Sequence, residues 1–121
     1  MDAKPIVLHQ HFENELVVEL ATRGVPENVS LVHAWWLQIF DPQTQKEFAK
    51  VQGVAEYVAP DPDAGEKGYG RLTFTLSPEI CSGSLFGVAE YKVAAVNVAG
   101  VGRFRFGGGI TFSRGPRLVV S

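Results

Sequence analysis

Few side chains in this sequence are spaced for chemistry. His9 and His11 stand two apart on what reads as a strand, so both imidazoles project from one face, close enough to share a divalent metal. No third ligand is signposted, and His33 would have to arrive by packing alone, so exposed edge-strand histidines are expected rather than a metal centre. Asp61-Pro-Asp63-Ala-Gly65-Glu66 gathers three carboxylates in one loop. The ligand spacing of a calcium loop is absent there and prolines stiffen the segment, which leaves a solvated acidic loop. Cys81, the lone cysteine, has no activating base in a recognisable context. Ser82-Gly-Ser84 lacks the flanking glycines of a nucleophile elbow. The run Gly107–Gly109 has neither the Lys-Ser/Thr nor the helix that a phosphate cradle requires. Asn28-Val29-Ser30 is a glycosylation sequon by pattern alone. The expectation is a chain that is not an enzyme, with no catalytic residue, no cofactor and no metal.

The elements that would position any site read as strands. Helical periodicity is poor throughout, whereas alternation is good in several segments. Residues 5–11 read as a first edge strand. Glu15 to Leu20 alternates, with Leu16, Val18 and Leu20 on one face and Glu15 and Glu19 on the other. Arg23 to Asn28 is a turn region. Ser30 to Phe40 is a long strand with Leu31, His33, Trp35, Leu37 and Ile39 on its core face and Val32, Ala34, Trp36, Gln38 and Phe40 opposite. Asp41-Pro42-Gln43-Thr44 makes a turn, proline presetting φ at its second position. The chain returns through Glu47 to Gln52, and Val54 to Val58 continues past Gly53 as a bulge or a switch to another sheet. Residues 60–68 form a surface loop. Arg71 to Leu76 points Leu72, Phe74 and Leu76 inward, Ser77 to Gly87 is a corner, and Ala89 to Val98 is a strand. Arg103 to Phe106 alternates again before Gly107–Gly109 breaks it, Ile110 to Phe112 can resume it, and a tail follows over about 113–121.

These are seven strands within a single domain of 121 residues, punctuated by thirteen Gly and seven Pro, the spacing of an immunoglobulin-like antiparallel β-sandwich. A jelly roll, which wants eight strands, is the alternative all-β architecture. A lone cysteine rules out an internal disulfide, so no oxidising compartment is required. The N-terminus shows no signal peptide and no apolar run reaches membrane-spanning length, so cytoplasmic synthesis of a soluble protein is expected, with no membrane partner.

One stretch carries a family resemblance. Leu85 precedes Tyr91 by six residues, and a Val/Ala strand then runs into Asn97-Val-Ala-Gly100-Val-Gly102. This resembles the penultimate strand of fibronectin type III domains, and the likeness extends over residues 30–102, where Trp35-Trp36 through Val51 is similar to the family's third strand and its hairpin return. The resemblance implies a tyrosine corner formed by Leu85 and Tyr91, and one of Trp35 and Trp36 packed across the core. It transfers no catalytic residue. It implies adhesion, spacing, or a structural role on virus particles, and a single domain opening on its own Met fits the last.

Two features point to a partner. The second face of Ser30–Phe40 is apolar: either the N-terminal strand or the tail covers it, or Val32, Trp36 and Phe40 there, beside Val96 on the Ala89–Val98 strand, form a subunit contact with Trp36 as the anchor. The charge is also lopsided. All thirteen acids and seven of the eleven basic residues fall in residues 1–102 (net −6), while 103–121 carry Arg103, Arg105, Arg114 and Arg117 without an acid (net +4). That pattern reads either as an arginine-decorated final strand and tail or as a basic terminus that docks on an acidic surface, including that of another copy, and the acidic remainder of the domain disfavours nucleic acid. The expected function is a structural or protein-interaction subunit of a larger assembly, such as a virion decoration or tail component. A carbohydrate-binding or enzyme-accessory module with an exposed Trp as sugar platform is the alternative.

Overall fold

The computed structural model describes residues 6–9, 12–81 and 88–113. Ten strands run in chain order: β1 (Ile6–His9), β2 (Asn14–Glu19), β3 (Ala21–Thr22), β4 (Val25–Pro26), β5 (Ala34–Phe40), β6 (Glu47–Gln52), β7 (Val54–Val58), β8 (Tyr69–Leu76), β9 (Val88–Val96) and β10 (Gly102–Ser113). They form a five-stranded sheet ordered β1-β10-β9-β5-β6, a three-stranded sheet ordered β2-β8-β7, and the two-stranded ribbon β3-β4. Every pairing is antiparallel except that of β1, which lies parallel to the end of β10 from Ile6 opposite Ile110 to His9 opposite Ser113. The fold is all-β. No helix among the described residues is long and apolar enough to cross a membrane.

The alternation in the sequence is what places the core. Trp35, Leu37 and Ile39 of β5 point to the same side as Tyr91 and Val93 of β9 and Phe106, Ile110 and Phe112 of β10. Leu72, Phe74 and Leu76 of β8 close on them from the second sheet, and all of these belong to one buried cluster. Each fully buried side chain of this size contributes about 1.5–3 kcal/mol. Tyr91 meets Phe106 edge-on, with ring centroids 6.4 Å apart at 80°. Trp35 is therefore the core tryptophan and Trp36 the outward one.

Gly53 explains how one hairpin arm serves both sheets. β6 pairs with β5 in the larger sheet, β7 pairs with β8 in the smaller, and only Gly53 separates them. A Cβ on Gly53 would lie 2.6 Å from the Phe74 ring, so a side chain at the crossover would have to displace that buried ring. Its amide still donates to the Trp35 carbonyl at 2.8 Å.

Several expectations need correction. Ten strands stand among the described residues where seven were expected in the chain, because the chain switches sheets at Gly53 and the supposed turn region contains the ribbon β3-β4, tightened by Arg23 and Gly24 at φ 52° and 77°. The strand expected from Ser30 begins only at Ala34. Asn28 accepts from the Ser30 amide and caps a 3-10 turn at Val29–Leu31, which buries Val29 and leaves Leu31 82% exposed and His33 exposed, not on the core face. The first strand is seen over Ile6–His9, and the rest of the expected strand, residues 5, 10 and 11, lies outside the described residues. Gly107–Gly109 does not interrupt β10: the three glycines pair in register with Lys92, Tyr91 and Glu90, and the irregularity is a bulge between Phe104 and Phe106. The corner after β8 opens with one helical turn, α1 (Pro78–Cys81). Leu85, and with it the partner expected for Tyr91 in a tyrosine corner, lies outside the described residues.

Candidate functional site

Strand register builds one continuous outward face on the larger sheet. Ala34, Trp36, Gln38 and Phe40 of β5 set four rows across it. The first row joins Ala34 to Val96 and Gly102. The second joins Trp36 to Ala94 and Phe104 on one side and to Gln52 on the other. Gln38 sits in the third row between Lys92 and Lys50, with Gly107 beyond Lys92. Phe40 sits in the fourth between Glu90 and Glu47, with Gly109 beyond Glu90.

The aromatic residues of this face are covered unequally. Lys50 Nζ lies 4.5 Å from the centre of the Trp36 ring and Lys92 Nζ 5.0 Å from that of Phe40. Each exposed lysine sets its ammonium over the face of an aromatic ring, an arrangement that contributes about 0.5–1 kcal/mol at an exposed site. Phe104 is 63% exposed. Gln38 donates to Glu47 Oε1 at 3.3 Å and Gln45 to Glu90 Oε2 at 3.4 Å. Among the described residues none of Lys50, Lys92, Glu47 and Glu90 enters an ion pair.

At the Val96 end the face rolls into an open cleft of about 720 Å³ between the Leu31–His33 segment and the β9–β10 turn. Asn97 shapes that turn: its carbonyl accepts from the Gly100 amide at 3.0 Å and its side chain from the Val101 amide at 3.0 Å, with Gly100 at φ 82°. The turn therefore holds Val98 and Val101 out, at 85% and 63% exposure. With Leu31 they give the cleft an aliphatic rim, and Arg103 lines it.

Arg105, expected on a docking surface, is engaged within the chain. Its Nη2 lies 2.8 Å from both carboxylate oxygens of Glu27, and its guanidinium carbon lies 5.2 Å from the centre of the Trp35 ring. The indole in turn donates to the Val29 carbonyl at 2.9 Å. An ion pair thus lids the tryptophan that plugs this end of the core. Its two side chains are only 22% and 29% exposed, so it stands between surface and buried pairs. Glu27→Ala is expected to cost about 1–2 kcal/mol, since an unpaired guanidinium would remain over the indole. A urea titration measures this, and Glu27→Ala/Arg105→Ala should cost less than the sum of the two single changes.

The other sites read from the sequence are dispersed. His9 is exposed on β1 beside Ser113, at the far end of β10 from the cleft that His33 lines, and His11 lies outside the described residues. No group of three His, Cys, Asp or Glu suited to a metal occurs among the described residues. Asp61 accepts from the Ala64 amide and caps a 3-10 turn at Pro62–Ala64, and Asp63 and Glu66 are exposed. Asn28 is the cap described above. Cys81 ends α1, while Ser82, Ser84, Arg114 and Arg117 lie outside the described residues. Val32, Trp36, Phe40 and Val96 are half-buried, with Trp36, Phe40 and Val96 together on the outward face and Val32 and Arg103 in the cleft.

Sequence reasoning did not single out Lys50, Lys92 or Phe104 for this surface. The missing signal was β9–β10 register: with the hairpin folded at Asn97, Phe104 falls beside Ala94 and extends the Trp36 row. No model of a known protein family matches the chain, and no curated protein matches it beyond chance.

Proposed function

We propose that the chain is an immunoglobulin-like sandwich acting as a non-catalytic protein-interaction subunit of a larger assembly, with the outward face of the five-stranded sheet as its contact. A virion decoration or tail component is the most concrete version, and it rests on the sequence resemblance. The strand order supports the architecture: β2-β8-β7 corresponds to strands B-E-D of an immunoglobulin sandwich and β10-β9-β5-β6 to G-F-C-C′. The observation that carries the functional reading is a four-strand surface bearing Trp36, Phe40 and Phe104, continuous with the aliphatic rim of Leu31, Val98 and Val101. Aromatic anchors inside a polar surround are what interaction hot spots are made of.

Trp36→Ser is the test. The ring stands outside the core, so the melting temperature should stay within about 4 °C of the parent. Association within the assembly, followed by solution mass, should weaken by about 30-fold or more. A melting loss as large as that of a core substitution would make Trp36 a structural residue and end the proposal. The sugar-platform alternative needs an open ring face, whereas Lys50 stands over Trp36. Tryptophan fluorescence titrated with oligosaccharides should accordingly stay unchanged.

A further inference from the structure

We infer that the partner of this face is a second copy of the chain, packed face to face about a twofold axis that crosses the strands between the Lys92–Lys50 row and the Glu90–Glu47 row. The inference rests on the interaction reading above and names its partner.

The charges on the face are ordered. Lys92 and Lys50 share one row with Gln38 between them, and Glu90 and Glu47 share the next with Phe40 between them. A twofold axis in the plane of the sheet can run along the strands or across them. Along the strands it maps each row onto itself, laying lysine against lysine and glutamate against glutamate. Across the strands, between the two rows, it sets Lys92 opposite the second copy's Glu90 and Lys50 opposite its Glu47, and the same contacts recur in reverse. The pattern is self-complementary in one orientation only, and like charges placed in register oppose the other. None of the four enters an ion pair among the described residues: Glu47 and Glu90 accept from the neutral amides of Gln38 and Gln45, and the two ammoniums lie over Trp36 and Phe40.

Shape agrees with charge. On β10 the same two rows hold Gly107 and Gly109, so no side chain stands between the copies there. Gln38 falls opposite Phe40. The Phe104–Ala94 row falls opposite Thr111 and Val88, the next outward pair along β10 and β9. Four strands at ~4.8 Å and four rows at ~6.8 Å give a footprint of about 500 Å² on each copy. The total of about 1,000 Å² is at the threshold of a specific interface, which makes a micromolar, salt-sensitive dimer and not an obligate one.

A charge exchange tests this. Lys50→Glu/Lys92→Glu makes both rows acidic, and Glu47→Lys/Glu90→Lys makes both basic. Analytical ultracentrifugation of the parent should show a monomer–dimer equilibrium that weakens as salt is raised. Each double variant alone should dimerise on the order of 100-fold more weakly. An equimolar mixture should restore a 1:1 heterodimer, which native mass spectrometry distinguishes by mass and which only folded chains can form. Circular dichroism and melting of each variant check the fold separately. A parent that stays monomeric overturns the pairing, while the interaction reading still stands or falls on assembly loss in Trp36→Ser. A dimer that Trp36→Ser breaks but the charge exchanges leave intact also overturns it, because the copies would then meet on this face in another orientation. Two monomeric variants that fail to combine overturn it as well.

Discussion

Trp35→Ala is expected to leave a chain that is at best marginally folded. The ring is 1% exposed, and its removal forfeits both its transfer energy and its share of the packing of the buried cluster to which it belongs, a loss of about 3–5 kcal/mol. Two further contacts go with it. The Val29 carbonyl loses the shorter of its two donors and keeps only the Val32 amide at 3.4 Å, at a cost of about 1 kcal/mol, and the Arg105 guanidinium loses the ring beneath it. Single domains hold only about 5–15 kcal/mol in total, so the sum consumes much or all of the margin. Urea unfolding should show either a midpoint near zero or no cooperative transition. Trp35→Phe isolates the hydrogen bond, because it keeps most of the volume but not the N–H. It should stay folded with a smaller loss, and a Trp35→Ala chain as stable as the parent would mean that Trp35 does not hold this end of the core together.

The same tryptophan pair marks how much of the fold was legible in advance. Alternation along Trp35 to Phe40 and Arg71 to Leu76 assigned Leu37, Ile39, Leu72, Phe74 and Leu76 to the interior, and each is fully buried. Period-two patterning is a local property that survives into the sheet because a strand has only two faces. The break at Gly53 was legible, but not its kind: a glycine between two strand patterns serves a bulge as well as a change of sheet, and only the pairing of β7 with β8 decides for the switch. What failed was the start of β5. Ser30 to His33 carries the same alternation as the true strand, but the Asn28 side chain offers the backbone a cap that competes with the ladder, and the cap wins. Gly107–Gly109 failed in the other direction. Glycine disfavours a strand intrinsically, yet β9 and β1 template β10 along its length, and tertiary pairing overrides propensity.

The candidate surface was half legible for a related reason. Trp36, Phe40 and Val96 lie on strands whose faces could be read one at a time. Which charge stands beside which ring depends on register between strands, and nothing local to Lys50, Lys92 or Glu90 announces it. The lopsided charge misled in one particular. Arg105 reads as part of a basic terminus, but the bulge after Phe104 lets it turn to Glu27, a residue seventy-eight positions away. Long-range pairing of that kind leaves no trace in the spacing of residues.

Glu27 is held in place from below, and Gly70→Ala should release it at comparable cost to a core deletion. Gly70 is buried in β8, and a Cβ there would lie 2.0 Å from the Glu27 carbonyl oxygen, with the Glu27 carbonyl carbon at 3.0 Å. The obstacle is backbone, so no rotamer change relieves it. The backbone is also tied down: Leu20 donates to the Gly70 carbonyl at 2.8 Å and Glu27 donates to the Leu20 carbonyl at 2.9 Å. One methyl group must therefore push apart β8 and the segment carrying Glu27, which costs about 3 kcal/mol by overpacking and displaces the carboxylate from Arg105. For a domain of this size the melting temperature should fall by roughly 12 °C. The displacement has its own signature. In a Gly70→Ala background Glu27→Ala should add almost nothing, because the pair it removes is already broken. Gly109→Ala provides the contrast, since nothing lies within 4 Å of a Cβ there, and it should change stability by no more than about 0.5 kcal/mol. If Gly70→Ala melts with the parent, the approach of β8 to Glu27 is looser than 2.0 Å implies, and Arg105 must be held over Trp35 by something other than a rigid carboxylate.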